Sequence, residues 1–538
     1  MNGCNVRIAC SGIGLAVCSW TAAFAQCELH RVWSPVEATR YFGASISIDG
    51  ARAIVGAPGG GAANEVGYVS FLREEPSGWA VESVHFDPSS ASGAEFGASV
   101  DLDGELAVVG ALAANAPYGH SGAVHCFVRS GDAWVLEATL LSPSASSSGY
   151  FGTQVSMSGA WLLIGAPGEP EPMSGPPNFG RVHAYRRVAN AWVHDHALAP
   201  PTSLLPSHAT SMGRSLAHAG AHALVQLTLS PSQKVSVVAY DRVGDVWTPI
   251  QLLPETLDGI NVGLAVDGGR AGVVTRSLAR VYEFGLGSWS KTASLATPPS
   301  FESEARSVAL EGDALVVGCP RFDLPTFSSE LQDAGCVAIY RKGGGTWSLM
   351  NTYTACDAVE GDRFGSAVAL RGDLLLAGVE RAEAPGRAAN QDSGAVQALD
   401  LVSSACPTLV AEPSAISAAA GGYQEFRMQP GSAQAHRYML IAATASGTSP
   451  GIVLDGWPVP LNPDTLTRVV LSALNTEPYT ANFSKLGADG QGYASLSFPV
   501  GAASPLVGLT VHHAAVVIDL VNKLVTFASN AAPLSITP

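Results

Sequence analysis

A repeated pattern constrains the fold of this chain more than any other feature of the sequence. In its clearest copy, the pair Phe42-Gly43 is followed by an alternating run and then by an apolar run that ends at Gly56-Ala57-Pro58. Further copies begin at Phe96, Phe151 and Phe364, and degenerate copies begin near Met212, Val262 and Glu304. The seven starts lie about 40 to 60 residues apart, an interval typical of repeat architectures.

Each repeat has the pattern of four short strands. In the second copy, Ser99–Leu102 alternates and ends in a tight turn at Asp103-Gly104, and the apolar run Leu106–Val109 follows. After a variable loop comes the run Gly122–Phe127, and a fourth strand starts at Trp134. Alternation with period two and glycine-bearing turns are strand and hairpin signals. Tandem four-stranded units predict an all-β fold, a seven-bladed β-propeller.

The tryptophans indicate how the ring closes. One opens the fourth strand in each of the first six units: Trp79, Trp134, Trp192, Trp247, Trp289 and Trp347. The seventh unit ends without a tryptophan, whereas Trp33 precedes the first unit. We therefore predict that Leu29–Trp33 supplies the fourth strand of the last blade, which removes an open sheet edge.

The cysteines suggest two disulfides. Cys27 precedes the imported strand and Cys406 follows the third strand of the seventh unit, so a Cys27–Cys406 bond would replace the missing hairpin connection. Cys319 and Cys336 flank the variable loop of the sixth unit, and we predict that they pair across its base. We expect Cys126 and Cys356, in different units, to stay unpaired. This pairing requires an oxidising compartment.

The N-terminus predicts export. Arg7 gives a positive start, Ile8–Ala25 is mostly apolar or small, and Ala23-Phe24-Ala25 has the form of a cleavage site. We predict a signal peptide over residues 1–25 and a mature protein that is secreted or located at the cell surface or in the periplasm. A membrane anchor and lipidation at Cys27 are the alternatives. No later segment has 18 unbroken apolar residues, so we predict no transmembrane segment.

The charge of the chain argues against one class of partner. The chain has 538 residues and a formal net charge of −16, and such an acidic protein is repelled by phosphate backbones, so we expect no nucleic-acid partner.

After Cys406 the repeat stops. The remaining β-like runs, separated by proline and glycine turns, predict a small β-sandwich; they are Ala435–Ala443, Thr467–Leu474, Gly492–Val500, Leu506–His512 and Val516–Phe527. The predicted domains are 26–406 and 407–538.

The Phe-Gly starts and the Gly-Ala-Pro strand ends resemble the FG-GAP repeat, which occurs in the propeller of integrin α-subunits and in many exported bacterial proteins. The resemblance covers roughly residues 27–406 and implies a seven-bladed propeller that binds other proteins or glycans. FG-GAP units often carry an Asp-rich calcium loop between their first two strands. Here that loop is a tight turn, such as Asp49-Gly50, which cannot supply several converging oxygen ligands. We predict no cofactor; calcium stays possible, but its usual loop is missing.

No motif assembles a nucleophile, a base and an orienting group. The long connections between the second and third strands share one rim, and function concentrates in long loops on rigid scaffolds. We predict that this rim binds a protein or carbohydrate partner through its chargeable residues: Glu65, His120, Asp323, Glu330, Asp333, Glu380 and Asp392. The expected function is that of an exported, monomeric, non-enzymatic binding or adhesion protein. The alternatives are a secreted glycan-active hydrolase or lyase at the channel, with Asp101 and His218 as candidates, and a purely structural envelope component.

Overall fold

The structure is a computed structural model. It describes the chain except residues 1–16, 19–29, 37–39, 60–65, 76–77, 90–92, 171–179, 199–208, 230–233, 255–261, 277, 299–306, 326–329, 356–357, 384–391, 402–408, 413, 429–433, 435, 449–450, 456, 488–491, 503–506 and 530. The predicted signal peptide therefore lies outside the described residues, apart from Val17–Cys18, which pairs with Ile452–Leu454. The chain divides into two compact units. One comprises Leu29–Leu324 and Leu331–Val402; the other comprises Ser403–Pro538 with Met1–Glu28 and Pro325–Glu330.

The described residues of the first unit form seven antiparallel sheets, here called blades 1 to 7 in chain order. Blade 1 consists of Ser45–Asp49, Arg52–Ala57, Tyr68–Glu75 and Gly78–Phe86. Blade 2 consists of Phe96–Asp103, Leu106–Ala111, Ala123–Ser130 and Ala133–Leu140. Blade 3 consists of Val155–Ser158, Trp161–Ala166, Arg181–Val188 and Ala191–Ala197. Blade 4 consists of Leu216–Ala219, His222–Leu229, Lys234–Val243 and Val246–Leu252, and the short strand Ala209–Thr210 is added to it. Blade 5 consists of Gly263–Asp267, Arg270–Val274, Leu278–Gly285 and Ser288–Ala296. Blade 6 consists of Ser307–Glu311, Ala314–Cys319, Cys336–Gly343 and Thr346–Tyr353, and Leu324–Pro325 pairs with Glu330–Leu331 in its loop. Blade 7 consists of Phe364–Arg371, Leu374–Val379, Ala395–Asp400 and His30–Trp33.

The blades are arranged in a closed ring. The first strand of each blade packs beside the first strand of the next, and Phe364–Arg371 of blade 7 packs beside Ser45–Asp49 of blade 1. His30–Trp33 pairs antiparallel with Ala395–Asp400, with Trp33 opposite Ala395. The unmatched Trp33 therefore identified the closing strand correctly, and the prediction of an all-β propeller is confirmed.

The Phe-Gly and Gly-Ala motifs form the joint between neighbouring blades. Phe151 is fully buried, and Gly152 after it has a φ of +92°, a left-handed conformation that glycine adopts without strain. Its carbonyl oxygen packs against Gly110 of the preceding blade, 2.1 Å from where a Cβ would lie, and also accepts the Ser99 hydroxyl at 2.8 Å. The motif recurs because two backbones approach each other here with no room for a side chain.

The tight turns between first and second strands form a second set of joints, on the opposite face. The Asp49 carboxylate accepts the backbone N–H of Gly104 in the next blade at 2.7 Å, and Asp103 accepts that of Gly159 at 2.6 Å. At the closure, the Arg371 guanidinium donates to the carbonyl oxygen of Gly50. The carboxylates at the position of the family's calcium loop are thus used to bond neighbouring blades.

The second unit has two sheets that face each other across one core. The first contains Leu409–Glu412, Gly422–Met428, Gly492–Phe498 and Tyr479–Thr480; the second contains Ala415–Ser417, Ala532–Thr537, Thr510–Asp519, Tyr438–Thr444, Phe483–Lys485 and Leu524–Ala528. Buried side chains of both sheets, such as Phe426 and Leu496 from one and Ile441 and Val517 from the other, share a hydrophobic cluster. Ile452–Leu454 pairs with Trp457–Val459 beside these sheets. This arrangement is a β-sandwich.

Two of the strand predictions for this unit were wrong. Thr467–Leu474 was expected to be a strand, but Thr465–Ser472 is an α-helix. A capping box starts this helix: Asp464 accepts the Thr467 N–H at 2.9 Å, and the Thr467 hydroxyl oxygen accepts the Asp464 N–H. The strand predicted over Val516–Phe527 is divided, since Asp519 accepts the N–H groups of Val521 and Asn522 in a turn.

Candidate functional site

The long connections between second and third strands lie on one face of the ring, here called the long-loop face. At three places on it, the end of one blade's loop bonds the residue that precedes the Phe-Gly pair of the next blade. Tyr150 N–H donates to His120 O at 3.1 Å, Arg363 N–H to Asp333 O at 3.0 Å, and Tyr41 N–H to Asp392 O at 2.9 Å. We call these three couples the rim pairs.

All six rim-pair residues have a left-handed backbone although none is a glycine. Their φ angles are 53° and 55° for His120 and Tyr150, 51° and 59° for Asp333 and Arg363, and 47° and 67° for Asp392 and Tyr41. Each such residue costs on the order of 1–3 kcal/mol and persists only where its surroundings fix it. The parallel bridges that follow, such as Gly122 with Phe151, supply that restraint.

The side chains of the rim pairs interact as well. The rings of His120 and Tyr150 lie 6.2 Å apart in a tilted arrangement. Arg363 forms ion pairs with Asp333 at 3.7 Å and with Glu380 at 3.2 Å. Around Tyr41, the guanidinium of Arg381 lies over the ring, 5.6 Å from its centroid, in a cation–π contact.

The structure locates five of the seven predicted rim residues and leaves two wholly or partly undescribed. His120, Asp333 and Asp392 belong to rim pairs, and Glu380 is held by Arg363. Asp323 accepts the N–H of Asp333 at 3.0 Å, so it supports the loop from within. Glu65 lies outside the described residues, and of Glu330 only the backbone, in Glu330–Leu331, is described. Their role in binding stays a prediction.

An aromatic patch lies on this face at blade 2. Tyr118 is 55% exposed and lies in the same loop as His120, whose ring is beside Tyr150. Glu95, before the next Phe-Gly pair, has a pKa raised by burial, which the charge of His120 partly offsets. Sequence reasoning selected His120 for its charge but missed Tyr118 and Tyr150, although both tyrosines stand in loop segments of the repeat.

A cavity of about 470 Å³ lies where the first strands begin, around the ring axis. Among the described residues that line it, the charged ones are Arg214 and Glu380. Gln154 adds an amide, and hydroxyl groups come from Ser45, Ser99, Ser215, Ser307 and Ser366. Sequence reasoning did not select Arg214 or Gln154. The available signal was position: Arg214 directly follows Met212-Gly213, a degenerate Phe-Gly pair, where the clearest copies have alanine.

Asp101 and His218, the channel candidates of the enzyme alternative, are in separate blades and are not among the residues that line this cavity. Burial raises the pKa of Asp101 to about 6, although its carboxylate accepts hydrogen bonds from Met157 N–H at 2.6 Å and Ser47 Oγ at 2.8 Å. Burial lowers the pKa of His218 to about 3, and its Nδ1 lies 3.0 Å from Ser156 Oγ. Both side chains therefore join the first strands of adjacent blades.

The cysteine predictions have separate outcomes. Cys319 and Cys336 are direct cross-strand partners in blade 6, both fully buried. Their side chains are hydrogen-bonded and both are free thiols, so the predicted bond between them is not formed in this structure. Cys27, Cys406 and Cys356 lie outside the described residues. Cys126 is a buried free thiol whose pKa is raised by burial.

Blade 3 contains a buried polar cluster that the sequence did not indicate. Glu169 is fully buried, and its Oε2 lies 2.9 Å from Nε2 of His183. The other ring nitrogen of His183 lies 3.2 Å from Nε2 of His194. The pKa of His194 is lowered by burial and by the charges of His183 and His196. A carboxylate thus fills a position that apolar side chains occupy in other blades.

The described residues include neither a metal-binding cluster nor a membrane-spanning helix. They contain no group of three or more His, Cys, Asp or Glu side chains able to hold a metal ion. Nor do they include a helix whose length and apolar character would let it cross a membrane.

The fold and its joints define an all-β propeller whose blades meet through Phe-Gly and Gly-Ala motifs. The model of the FG-GAP repeat family matches residues 86–127, 134–185 and 347–399. The chain therefore contains FG-GAP repeats at these three places, as the motifs predicted. No curated protein matches it.

Among solved structures, one similar chain is named a putative 6-phosphogluconolactonase from Bacteroides uniformis. It is 11% identical, with a TM-score of 0.37, over 58% of this chain and 85% of that chain. Another is a protein from Lactobacillus plantarum, 14% identical, with a TM-score of 0.40, over 59% of this chain and 85% of that chain.

Proposed function

We propose that this chain is an exported, monomeric, non-enzymatic binding protein whose long-loop face holds a protein or carbohydrate ligand. The mature protein would be secreted or located at the cell surface or in the periplasm. The rim pairs are the single observation that carries this proposal. The six rim-pair residues, none of them a glycine, have a left-handed backbone, and such strain clusters at binding and switch sites, where the surrounding structure fixes it.

The chemistry of the same face supports a binding role. Tyr118, His120 and Tyr150 present aromatic rings, which form large contact areas at low conformational cost and are enriched at recognition surfaces. The charged rim residues Asp333, Arg363 and Glu380 hold each other in place. A surface with its side chains already fixed loses less entropy when a ligand binds.

The test is a binding array of glycans and extracellular proteins probed with the chain from Gln26 to Pro538, with calcium and with a chelator. We expect saturable binding that Tyr118→Ser weakens by about tenfold, a typical effect of losing an aromatic contact residue. The matched control is Val243→Thr, which changes a residue of similar exposure, 76%, at a tight turn between third and fourth strands.

Equal loss in both variants would contradict a site on the long-loop face. Chemical conversion of an arrayed glycan would contradict the non-enzymatic assignment. Binding that requires calcium would contradict the prediction of no cofactor, and absence of binding to every arrayed molecule would favour a structural role.

A further inference from the structure

The cavity at the ring axis contains an arginine without a partner among the described residues. The chain has a net charge of −16, yet the guanidinium of Arg214 is exposed in this cavity and has no hydrogen-bond or ion-pair partner among the described residues. Glu380, the carboxylate at the cavity wall, is paired with Arg363 at 3.2 Å. Arg214 is thus the charged residue of the described lining that no other side chain holds, and its guanidinium is available to an anion.

The remaining lining favours a ligand with many hydroxyl groups. Ser45, Ser99 and Ser307 donate their hydroxyl hydrogens to the glycine carbonyls of the next blade at 2.8, 2.8 and 2.9 Å. A hydroxyl oxygen that donates still has lone pairs to accept hydrogen bonds. The amide of Gln154 also lines the cavity, and its Nε2 donates to the Val155 carbonyl at 3.3 Å, which leaves its oxygen as an acceptor. Acceptors arranged around an arginine match a polyhydroxylated acid.

From these contacts we propose that the axial cavity binds a saccharide that carries a carboxylate, with Arg214 holding the carboxylate and the serine and glutamine oxygens accepting the sugar hydroxyls. The guanidinium can bind a carboxylate with two parallel hydrogen bonds, a contact that a neutral sugar cannot form. The volume of about 470 Å³ lies within the range of about 300–1,000 Å³ usual for small-molecule sites. This inference goes beyond the proposed function, because the cavity shares Glu380 with the long-loop face but includes none of the rim pairs.

The experiment compares a galacturonic acid trisaccharide with the neutral galactose trisaccharide by titration calorimetry on the chain from Gln26 to Pro538. We expect the acidic sugar to bind at least about tenfold more tightly, since a hydrogen bond to a charged group contributes more than a neutral one. Arg214→Gln should remove this preference and Arg214→Lys should retain part of it. Because Arg214 is exposed and unpartnered in the described structure, neither variant should change the melting temperature.

The control variant is Arg73→Gln, which removes an arginine paired with Glu75 at 2.8 Å in the third strand of blade 1. It should bind like the unaltered protein. Equal affinity for both trisaccharides, or unchanged binding by Arg214→Gln, would overturn the inference. So would inorganic sulfate that binds as tightly as the acidic trisaccharide, because the site would then hold any anion. Array ligands that bind independently of Arg214 would leave the proposed function standing, whereas a blank array would remove both.

Discussion

The carbonyl oxygen of Gly97 lies 2.0 Å from the position that a Cβ would occupy on Gly56, the glycine of the first Gly-Ala-Pro motif. Because the clashing atom belongs to the backbone of the next blade, it cannot rotate away. We predict that Gly56→Ala lowers the free energy of unfolding by about 1–3 kcal/mol or more, the usual cost of overpacking. Urea unfolding followed by tryptophan fluorescence measures this change.

Gly285→Ala is the matched control for that substitution. A Cβ on Gly285 would meet no atom within 4 Å, and the residue does not have a positive φ. Alanine at such a position should leave stability unchanged or raise it by about 0.4–1 kcal/mol. Equal stability of the two variants would mean that the blade joint can relax, and the explanation of the motif would be wrong.

The same geometry explains why the propeller could be predicted from the sequence. The same backbone packing in every well-formed joint requires the residue types found at Phe96, Gly97 and Gly56. These residue types therefore recur at fixed spacing along the chain. The unmatched Trp33 indicated the closing strand for the same reason. A side chain that is buried or paired in one blade only does not recur in the other repeats. Glu169 is buried in blade 3 alone, and Arg214 follows a degenerate motif, so neither could be identified by comparison between repeats.

The helix Thr465–Ser472 shows a different limit of sequence reasoning. Its sequence contains two valines and two threonines, residues that favour a strand by local preference. Asp464 overrides this preference through the capping box with Thr467. A cap of this kind is weak evidence in a sequence, since it decides between structures only when the following segment also packs against a core.

Cys319 and Cys336 give a prediction about redox state. The two thiols are direct cross-strand partners, and we expect a low-molecular-weight disulfide such as oxidised glutathione to convert them to a disulfide, with two molecules of reduced thiol as the other product. Closing a loop of this length stabilises by about 3 kcal/mol in the chain-entropy model. Peptide mass spectrometry without reduction would detect the bond, and urea unfolding of both forms would give its effect.

Cys126→Ala is the control, because Cys126 is in another blade and should take no part in this bond. Oxidised protein whose Cys319 and Cys336 still react with an alkylating reagent after denaturation would contradict the prediction. The predicted Cys27–Cys406 bond can be sought in the same peptide digest.

Asp101 should make stability depend on pH in an unusual direction. Its pKa is raised from 3.8 to about 6 by burial, so between these values the folded protein binds more protons than the unfolded chain. The contribution of Asp101 to the free energy of unfolding therefore falls as pH rises from about 4 to about 6. One pKa unit corresponds to about 1.4 kcal/mol, which makes the effect measurable.

The measurement is the difference in stability between the unaltered protein and Asp101→Asn at pH 4, 5 and 6. We expect the variant to gain stability relative to the unaltered protein as pH rises, because an amide does not titrate. Taking the difference removes the opposing effect of His218, whose lowered pKa reduces stability as pH falls below 6.5. Asp132→Asn, at an exposed turn, is the control. A difference that is flat across this range would contradict the burial of the Asp101 charge.

Glu169 and His183 should behave as a coupled pair. Removing one partner of a buried hydrogen-bonded pair leaves the polar atom of the other unsatisfied, so we predict that Glu169→Ala lowers the free energy of unfolding by about 1–3 kcal/mol. Blade 6 suggests the repair. There Phe322 stands where blade 3 has Glu169, since Gly335 N–H donates to its carbonyl as Gly180 N–H donates to that of Glu169, and Ala338 stands where blade 3 has His183.

The double variant Glu169→Phe/His183→Ala therefore copies an apolar arrangement that this fold already accommodates. We expect it to recover most of the stability lost in Glu169→Ala, because replacing both partners of a buried hydrogen bond by apolar groups can be nearly neutral or stabilising. Urea unfolding of Glu169→Phe, of His183→Ala and of the double variant, each compared with the unaltered protein, gives the coupling energy directly. Additive losses would mean that Glu169 and His183 contribute independently. A double variant that is stable but has lost ligand binding would instead indicate that Glu169 and His183 serve recognition at the adjoining loop.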